Sequence, residues 1–162
     1  RDLNHRIGQA QERVLITNAY FLPRKSVLKS LRRAAEKGTY VAICLPAHGD
    51  IASVKWASRF LYFQLIKAGV HIFEYEPRML HAKTLVIDHW ATVGSHNLNH
   101  RSFLHDLEVE AVLTDEFSIG QLLQQWDQDI KQSHAITLKD LGQMHWYYRM
   151  FARFAYWFRF WL

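Results

Sequence analysis

Cysteine is nearly absent from this chain. Cys44 is the only one in 162 residues, so no intrachain disulfide can form and a reducing compartment is mildly favoured. It lies inside the apolar run Tyr40-Val41-Ala42-Ile43-Cys44-Leu45, where a thiol reads as a small buried hydrophobe. Proline (3) and glycine (7) are too scarce, and too scattered, for a linker or a disordered tract. There is no internal repeat. No secretory leader opens the chain, which starts on Arg1-Asp2-Leu3 without Met, so its own start is expected upstream. Acid is the minority charge, 15 carboxylates against 20 Lys and Arg, for a net charge of +5. That balance attracts anions and does not choose among nucleic acid, acidic lipid headgroups and phosphorylated substrates.

What is present is a globular composition, 49% apolar and 22% charged, enough for one domain with a full core. Val14-Leu15-Ile16 reads as a short strand running into Asn18-Ala19-Tyr20-Phe21-Leu22-Pro23. A helix follows, entered at Pro23 and stopped by Gly38, with Val27, Leu28, Leu31, Ala34 and Ala35 at helical spacing. Its other face carries Lys25, Lys29, Arg32 and Arg33, read as a solvated polar face rather than a lipid-contact patch. Tyr40–Leu45 is a strand covered on both sides, and the loop from Pro46 to Asp50 is placed at the rim of a site. A second helix spans about Ile51–Ala68, stopped by Gly69, and Val70–Tyr75 is another strand. Lys83–Asp88 and Ala91–Gly94 pair through a turn at His89-Trp90. Leu107–Leu113 alternates as a strand, and Phe117–Gln132 is a helix with Leu122, Leu123, Trp126 and Ile130 inward. Strands and helices at this spacing predict an α/β sandwich with a mixed, mainly parallel sheet flanked by helices.

The chemistry concentrates in His81-Ala82-Lys83-Thr84-Leu85-Val86-Ile87-Asp88 and in Gly94-Ser95-His96-Asn97. Side chains alternate on extended chain, so His81 shares a side with Lys83, and Ser95 with Asn97. If the segments converge, a phosphate can sit among an imidazole, an ammonium, a hydroxyl and an amide. Lys83 would supply charge, Ser95 and Asn97 neutral donors, and His81 a nucleophile or a proton shuttle.

His81, Lys83 and Asp88 resemble the HxKxxxxD signature of the phospholipase D superfamily, and Gly94-Ser95-His96-Asn97 with Arg101-Ser102 is similar to its GSxN element. The stretches Tyr75–Leu80 and Asn18–Pro23 are similar to bacterial cardiolipin synthases. The resemblance covers roughly residues 5–132 and implies a catalytic domain at 1–142. It also implies phosphodiester chemistry without metal or cofactor, through a phosphohistidine, with two motifs facing each other across one site. Glu108 falls where the family places a carboxylate that orients the imidazole; an exposed strand carboxylate is the plain alternative. Asp88 is open between a place in the catalytic motif and a strand-end support that pairs with a basic neighbour and holds the loop.

Two departures matter. Five residues separate Asp88 from Gly94 where the family usually has six, and the His89-Trp90 turn is expected to absorb the loss. Only one HxKxxxxD occurs: His5, His48, His71, His134 and His145 lack a Lys two positions later. The other half of the site is expected from an N-terminal half of the same protein or from a second copy. His89, His96, His100 and His105 gather near His81, but their spacing makes a poor zinc set.

From Gln143 onward the chain is aromatic, including Trp146, Tyr147, Tyr148, Phe151, Phe154, Trp157 and Trp161, with Arg149, Arg153 and Arg159 interleaved and no acid after Asp140. Those arginines argue against a spanning helix and for a headgroup-level segment over 143–162; a packed terminal helix is the alternative. The resemblance implies a phosphatidyltransferase using phosphatidylglycerol, peripheral on the cytoplasmic face of the inner membrane. A nucleic-acid phosphodiesterase acting as a homodimer, or a half-site that only holds phosphate, are the rival readings.

Overall fold

The computed structural model describes residues 2–49, 52–99 and 107–143, and, in the tail, 150, 151, 153, 154 and 157. In chain order the elements are α1 (Asp2–Gln9), β1 (Arg13–Thr17), α2 (Lys25–Glu36), β2 (Tyr40–Pro46), α3 (Ala52–Lys67) and β3 (His71–Tyr75). Then come β4 (Thr84–Ile87), β5 (Trp90–Gly94), β6 (Glu110–Leu113), α4 (Glu116–Lys131), β7 (Ser133–Ile136) and α5 (Leu138–Gln143). The strands form one seven-stranded sheet in the order β6-β5-β4-β1-β2-β3-β7.

Alternation along the central strands sends apolar side chains to both faces. Val14, Ile16, Val41, Ile43 and Ile72 point to the core shared with α1, α2 and α3, where Ile7, Leu31, Leu61 and Leu65 meet them fully buried. Leu15, Ala42, Cys44 and Val86 point the other way, against Ile119 and Trp126 of α4, with Leu122, Leu123 and Ile130 packed alongside. Burying a side chain of that size stabilises by about 1.5–3 kcal/mol. The Cys44 thiol is pushed up to about 12, chiefly by burial, as a structural side chain would be.

The α/β class and the mixed sheet agree with the sequence reading, but its mainly parallel character is corrected. Only β1–β2 and β2–β3 pair in parallel. The β1–β4, β3–β7, β4–β5 and β5–β6 pairs are antiparallel. α2 and α3 make the parallel crossovers between neighbours, β4–β5 is a short hairpin, and α4 carries the chain from β6 at one edge to β7 at the other. Three elements had no sequence signal strong enough to name: α1, β7 and α5.

Among the buried residues of β3, Glu74 lies on the α3 side. Its carboxylate accepts from Arg59 Nε (2.9 Å) and Nη2 (2.6 Å) and from Tyr62 Oη (3.2 Å). A bidentate guanidinium satisfies the charge where water is excluded, and fixes α3 in register on the sheet.

The expected strand at Leu107–Leu113 contracts to Glu110–Leu113. Its alternation does not mark a buried face, because Leu107 is 103% and Val109 77% exposed on the sheet's edge. Of the tail, Met150, Phe151, Phe154 and Trp157 are helical and exposed, as is Arg153; the remaining aromatic residues named above, with Arg149 and Arg159, lie outside the described residues. Among the described residues no helix is long and apolar enough to cross a membrane.

Candidate active site

One buried amide organises this end of the sheet. Asn18, just past β1, accepts at Oδ1 from the N–H groups of Tyr20 and Leu98, both at 3.2 Å, and donates from Nδ2 to the His96 carbonyl at 3.4 Å. Leu22 N–H adds a 2.7 Å bond to the Leu98 carbonyl. The loop after β1 and the loop after β5, some eighty residues apart in sequence, are thereby held together. Tyr20 emerges from the first loop edge-on to the His81 imidazole, ring centroids 5.9 Å apart at 82°. Behind Tyr20 lies a cavity of about 20 Å³ that also touches Pro46, Gly49 and Lys55, and Lys55 Nζ donates to the Ala47 carbonyl. The loop after β2 therefore lies beside the site, as the sequence suggested for Pro46 onward; Asp50 falls outside the described residues.

His81 and Lys83 lead into β4 on irregular backbone, His81 exposed and Lys83 half-buried. Lys83 Nζ donates to the His81 carbonyl at 2.7 Å, and the Lys83 carbonyl accepts from Gly94 N–H at 3.1 Å. Burial pulls the Lys83 ammonium below the usual lysine range, and the facing Glu108 carboxylate offsets part of that. Glu108 also accepts from Ser95 Oγ, which in turn accepts from Val109 N–H at 3.0 Å. Gly94 is required by close approach: a Cβ there would stand 2.3 Å from the Val109 carbonyl oxygen and 2.9 Å from Glu110 Cα.

The structure thus gathers Lys83, Ser95 and Glu108, with His81 beside them against Tyr20. Asn97 follows on the loop that Asn18 holds; its Oδ1 is buried without a hydrogen-bond partner among the described residues. A half-turn of that amide puts its NH₂ in the same place, a donor for a phosphoryl oxygen. Glu108 differs from the role the resemblance implied. Among the described residues its hydrogen bond is to Ser95 Oγ, and none joins it to His81.

Asp88 does not join the group. β4 runs antiparallel to β1, pairing Thr84 with Thr17 and Ile87 with Val14, so Asp88 lies at the opposite end of the sheet. Its carboxylate accepts from three backbone N–H groups, Gln11 (2.8 Å), Glu12 (3.0 Å) and Arg13 (2.9 Å). Burial alone would raise its pKa, but those three bonds hold it below the usual carboxylate value. Its partner is thus main chain at the start of β1, not the basic side chain anticipated, and the bonds seen are those of a strand-end support. The hairpin turn also shifts by one residue. Asp88-His89 forms it, with Asp88 at φ 49°, and Trp90 opens β5 opposite Ile87. Arg6 caps the Trp90 ring at 4.3 Å.

The histidines scatter. His89 is in the far turn, and His96 Nδ1 stands 3.5 Å from Glu110 Oε1 near the site. His100, Arg101, Ser102 and His105 lie outside the described residues. Among the described residues no three His, Cys, Asp or Glu side chains are grouped to hold a metal ion.

This geometry can now be set beside known proteins. Residues 3–133 match the family model described as cardiolipin synthase, PLD-like domain. The chain belongs to that family. Cardiolipin synthase B of Shigella flexneri is 44% identical over 110 residues, which is 67% of this chain and 27% of that protein. The PLD-like chain described here thus spans about a quarter of the length of such curated relatives. Among solved structures, phosphatidylserine synthase of Haemophilus influenzae superposes with a TM-score of 0.72 at 15% identity, over 99% of this chain and 44% of that one. Nuc, a phospholipase D family member from Salmonella typhimurium, superposes with a TM-score of 0.70 at 17% identity, over 83% of this chain and 88% of that one. At such identities the two superpositions speak for the PLD-like fold alone.

Proposed function

We propose that this PLD-like domain supplies one half of a phosphatidyltransferase site of the cardiolipin synthase type. The observation that carries the reading is the convergence of Lys83, Ser95 and Glu108 beside His81, within a chain matched to that family over residues 3–133. Two imidazoles share the work, and His81 is one of them. One ring nitrogen attacks the phosphorus of a phosphatidyl donor such as phosphatidylglycerol, forming a P–N bond as the P–O bond to the headgroup breaks. The second imidazole, as imidazolium, gives its proton to the departing alkoxide. An acceptor hydroxyl then returns a proton to that second imidazole and attacks phosphorus, and the P–N bond breaks. Lys83 and the Ser95 and Asn97 side chains hold the phosphoryl oxygens, and Glu108 holds Ser95 and faces the Lys83 charge.

The second imidazole comes from a complementary half, in the same longer protein or in a second copy. Leu107, Val109, Val112 and Phe117 are 103, 77, 58 and 77% exposed along the edge that carries Glu108, an apolar rim suited to such a half. The tail supports a peripheral place on an acidic membrane: Met150, Phe151, Phe154 and Trp157 recur at helical spacing and are exposed, with Arg153 among them.

The test is turnover of phosphatidylglycerol against cleavage of DNA, with the 162-residue chain alone and with its complementary half, and acid-quenched samples examined for phosphohistidine. Lipid transfer that appears only with two motifs present is the expected result. Transfer by a chain shown by sedimentation to be monomeric would refute the two-motif requirement, and DNA cleavage without lipid transfer would refute the substrate.

A further inference from the structure

We propose that the groove between α2 and α3 is a docking surface for an anionic membrane. The groove has a volume of about 500 Å³ and is lined on the α2 side by Lys25, Lys29, Arg32, Arg33 and Glu36. Four cations thus face one carboxylate. They recur at i, i+4, i+7 and i+8, which places them along one exposed ridge of the helix rather than around it. None of the four forms an ion pair or side-chain hydrogen bond among the described residues, so their charge is available to a partner.

The α3 wall pairs Phe60, at 37% exposure, with the amide of Gln64. Beyond the groove, one turn along α3, Phe63 is 50% exposed with Lys67 Nζ 5.5 Å from its ring centroid. Neither ring belongs to the buried stripe of Val54, Ala57, Leu61 and Leu65 that seats α3 on the sheet. A row of cations beside exposed phenylalanines complements a lipid surface in both of its layers, the phosphates at headgroup level and the acyl boundary beneath. A duplex would meet the cations but offer nothing apolar to the half-exposed Phe63 ring.

The topology adds a second argument. α5 packs on α3, with Leu141 against the core shared by α1, α2 and α3, so the chain approaches its aromatic tail from the side of the sheet that holds the groove. A groove and a tail that both met the membrane would reinforce each other without any new bond, because the first binding raises the local concentration for the second.

The identity of the partner rests on the phospholipid reading above, and the measurement is independent of turnover. The 162-residue chain is floated with phosphatidylcholine vesicles with and without phosphatidylglycerol, and compared with K25Q/K29Q/R32Q/R33Q and with Phe63→Ser. Each cation removed should lower partition onto the anionic vesicles by about fivefold, and the quadruple variant by two to three orders of magnitude. Phe63→Ser should weaken binding to a similar degree as one cation, and that loss should persist in high salt. The replaced side chains are exposed, so thermal midpoints should match the parent; should the quadruple variant fold poorly, Lys29→Gln and Arg32→Gln singly still give the fivefold steps. A quadruple variant that partitions like the parent, or a parent indifferent to phosphatidylglycerol, overturns the proposal. So does a loss seen only for a DNA duplex. Anionic-vesicle binding by a protein without lipid turnover would sustain the groove while sinking the transferase.

Discussion

The two ends of β4 come from one eight-residue signature and do opposite things. At the entry, His81 and Lys83 stand on irregular backbone, and among the described residues their side chains meet the Tyr20 ring, the His81 carbonyl and the facing Glu108 carboxylate. At the exit, the Asp88 carboxylate is saturated by three backbone N–H groups that fix the start of β1. A four-residue strand separates them, roughly 13 Å at about 3.3 Å per residue. The lesson is that a signature can be a ruler rather than a cluster. Asp88 secures one end of β4 against β1, and the stiffness of the paired strand places the other end where the chemistry occurs.

If that division holds, replacements at the entry change turnover without stability, and replacements at the exit do the reverse. The largest effect belongs to His81→Asn. It should remove at least ~10²-fold in kcat/KM, measured with the complementary half present, with the thermal midpoint within error of the parent. Lys83→Met comes next, with turnover lowered by about 10²-fold and affinity for inorganic phosphate or vanadate falling with it. An unchanged phosphate affinity would place the ammonium outside the phosphoryl site.

Asp88→Ala should leave kcat alone and cost about 2 kcal/mol in denaturant unfolding, from the lost acceptor of three N–H groups and an alanine forced to φ 49°. Asp88→Asn keeps one acceptor oxygen and tolerates that backbone, so about 1 kcal/mol is expected. Acid sharpens the point. The folded state holds Asp88 below its unfolded value of about 3.9, so its contribution is in force above that pH and fades as pH falls through the folded pKa. The stability gap between parent and Asp88→Asn should therefore close below about pH 4. A gap that is flat with pH would show the carboxylate's charge to be irrelevant. The smallest expected effect is that of a chelator: with chemistry carried by His and Lys, EDTA should leave turnover unchanged, and loss with rescue by zinc would break the assignment of roles at the entry.

Much of this was readable beforehand where local patterns and packing agree. The periods of α2 and α3, and Gly38 at φ 98° just beyond α2, announce their own elements. The contents of the site were readable as residue types, since His81, Lys83, Ser95, Asn97 and Glu108 sit in short, dense motifs. Its assembly was not. Asn18 acts through bonds to residues 78 and 80 positions away, and nothing local marks an amide as a hub. Asp88 bonds main chain, which has no sequence signature. Glu74 was hidden in an apolar run, though a carboxylate in such a strand is itself a signal that a cation such as Arg59 must be near. α1 and β7 are too short to display a period, at eight and four residues.

The edge strand β6 has a consequence for how such a domain can be made. One side of β6 bonds to β5 and, among the described residues, no strand pairs with the other side; Val112 within it and Val109 just before it are 58 and 77% exposed. A bare, apolar strand edge recruits any extended chain that passes, including nascent copies of itself. A ribosome that released this domain with that edge uncovered would release a template for strand addition. Such folds are therefore favoured when a covering segment is already present as β6 is completed, and Lys or Pro introduced at Val112 should raise the soluble yield of the 162-residue chain.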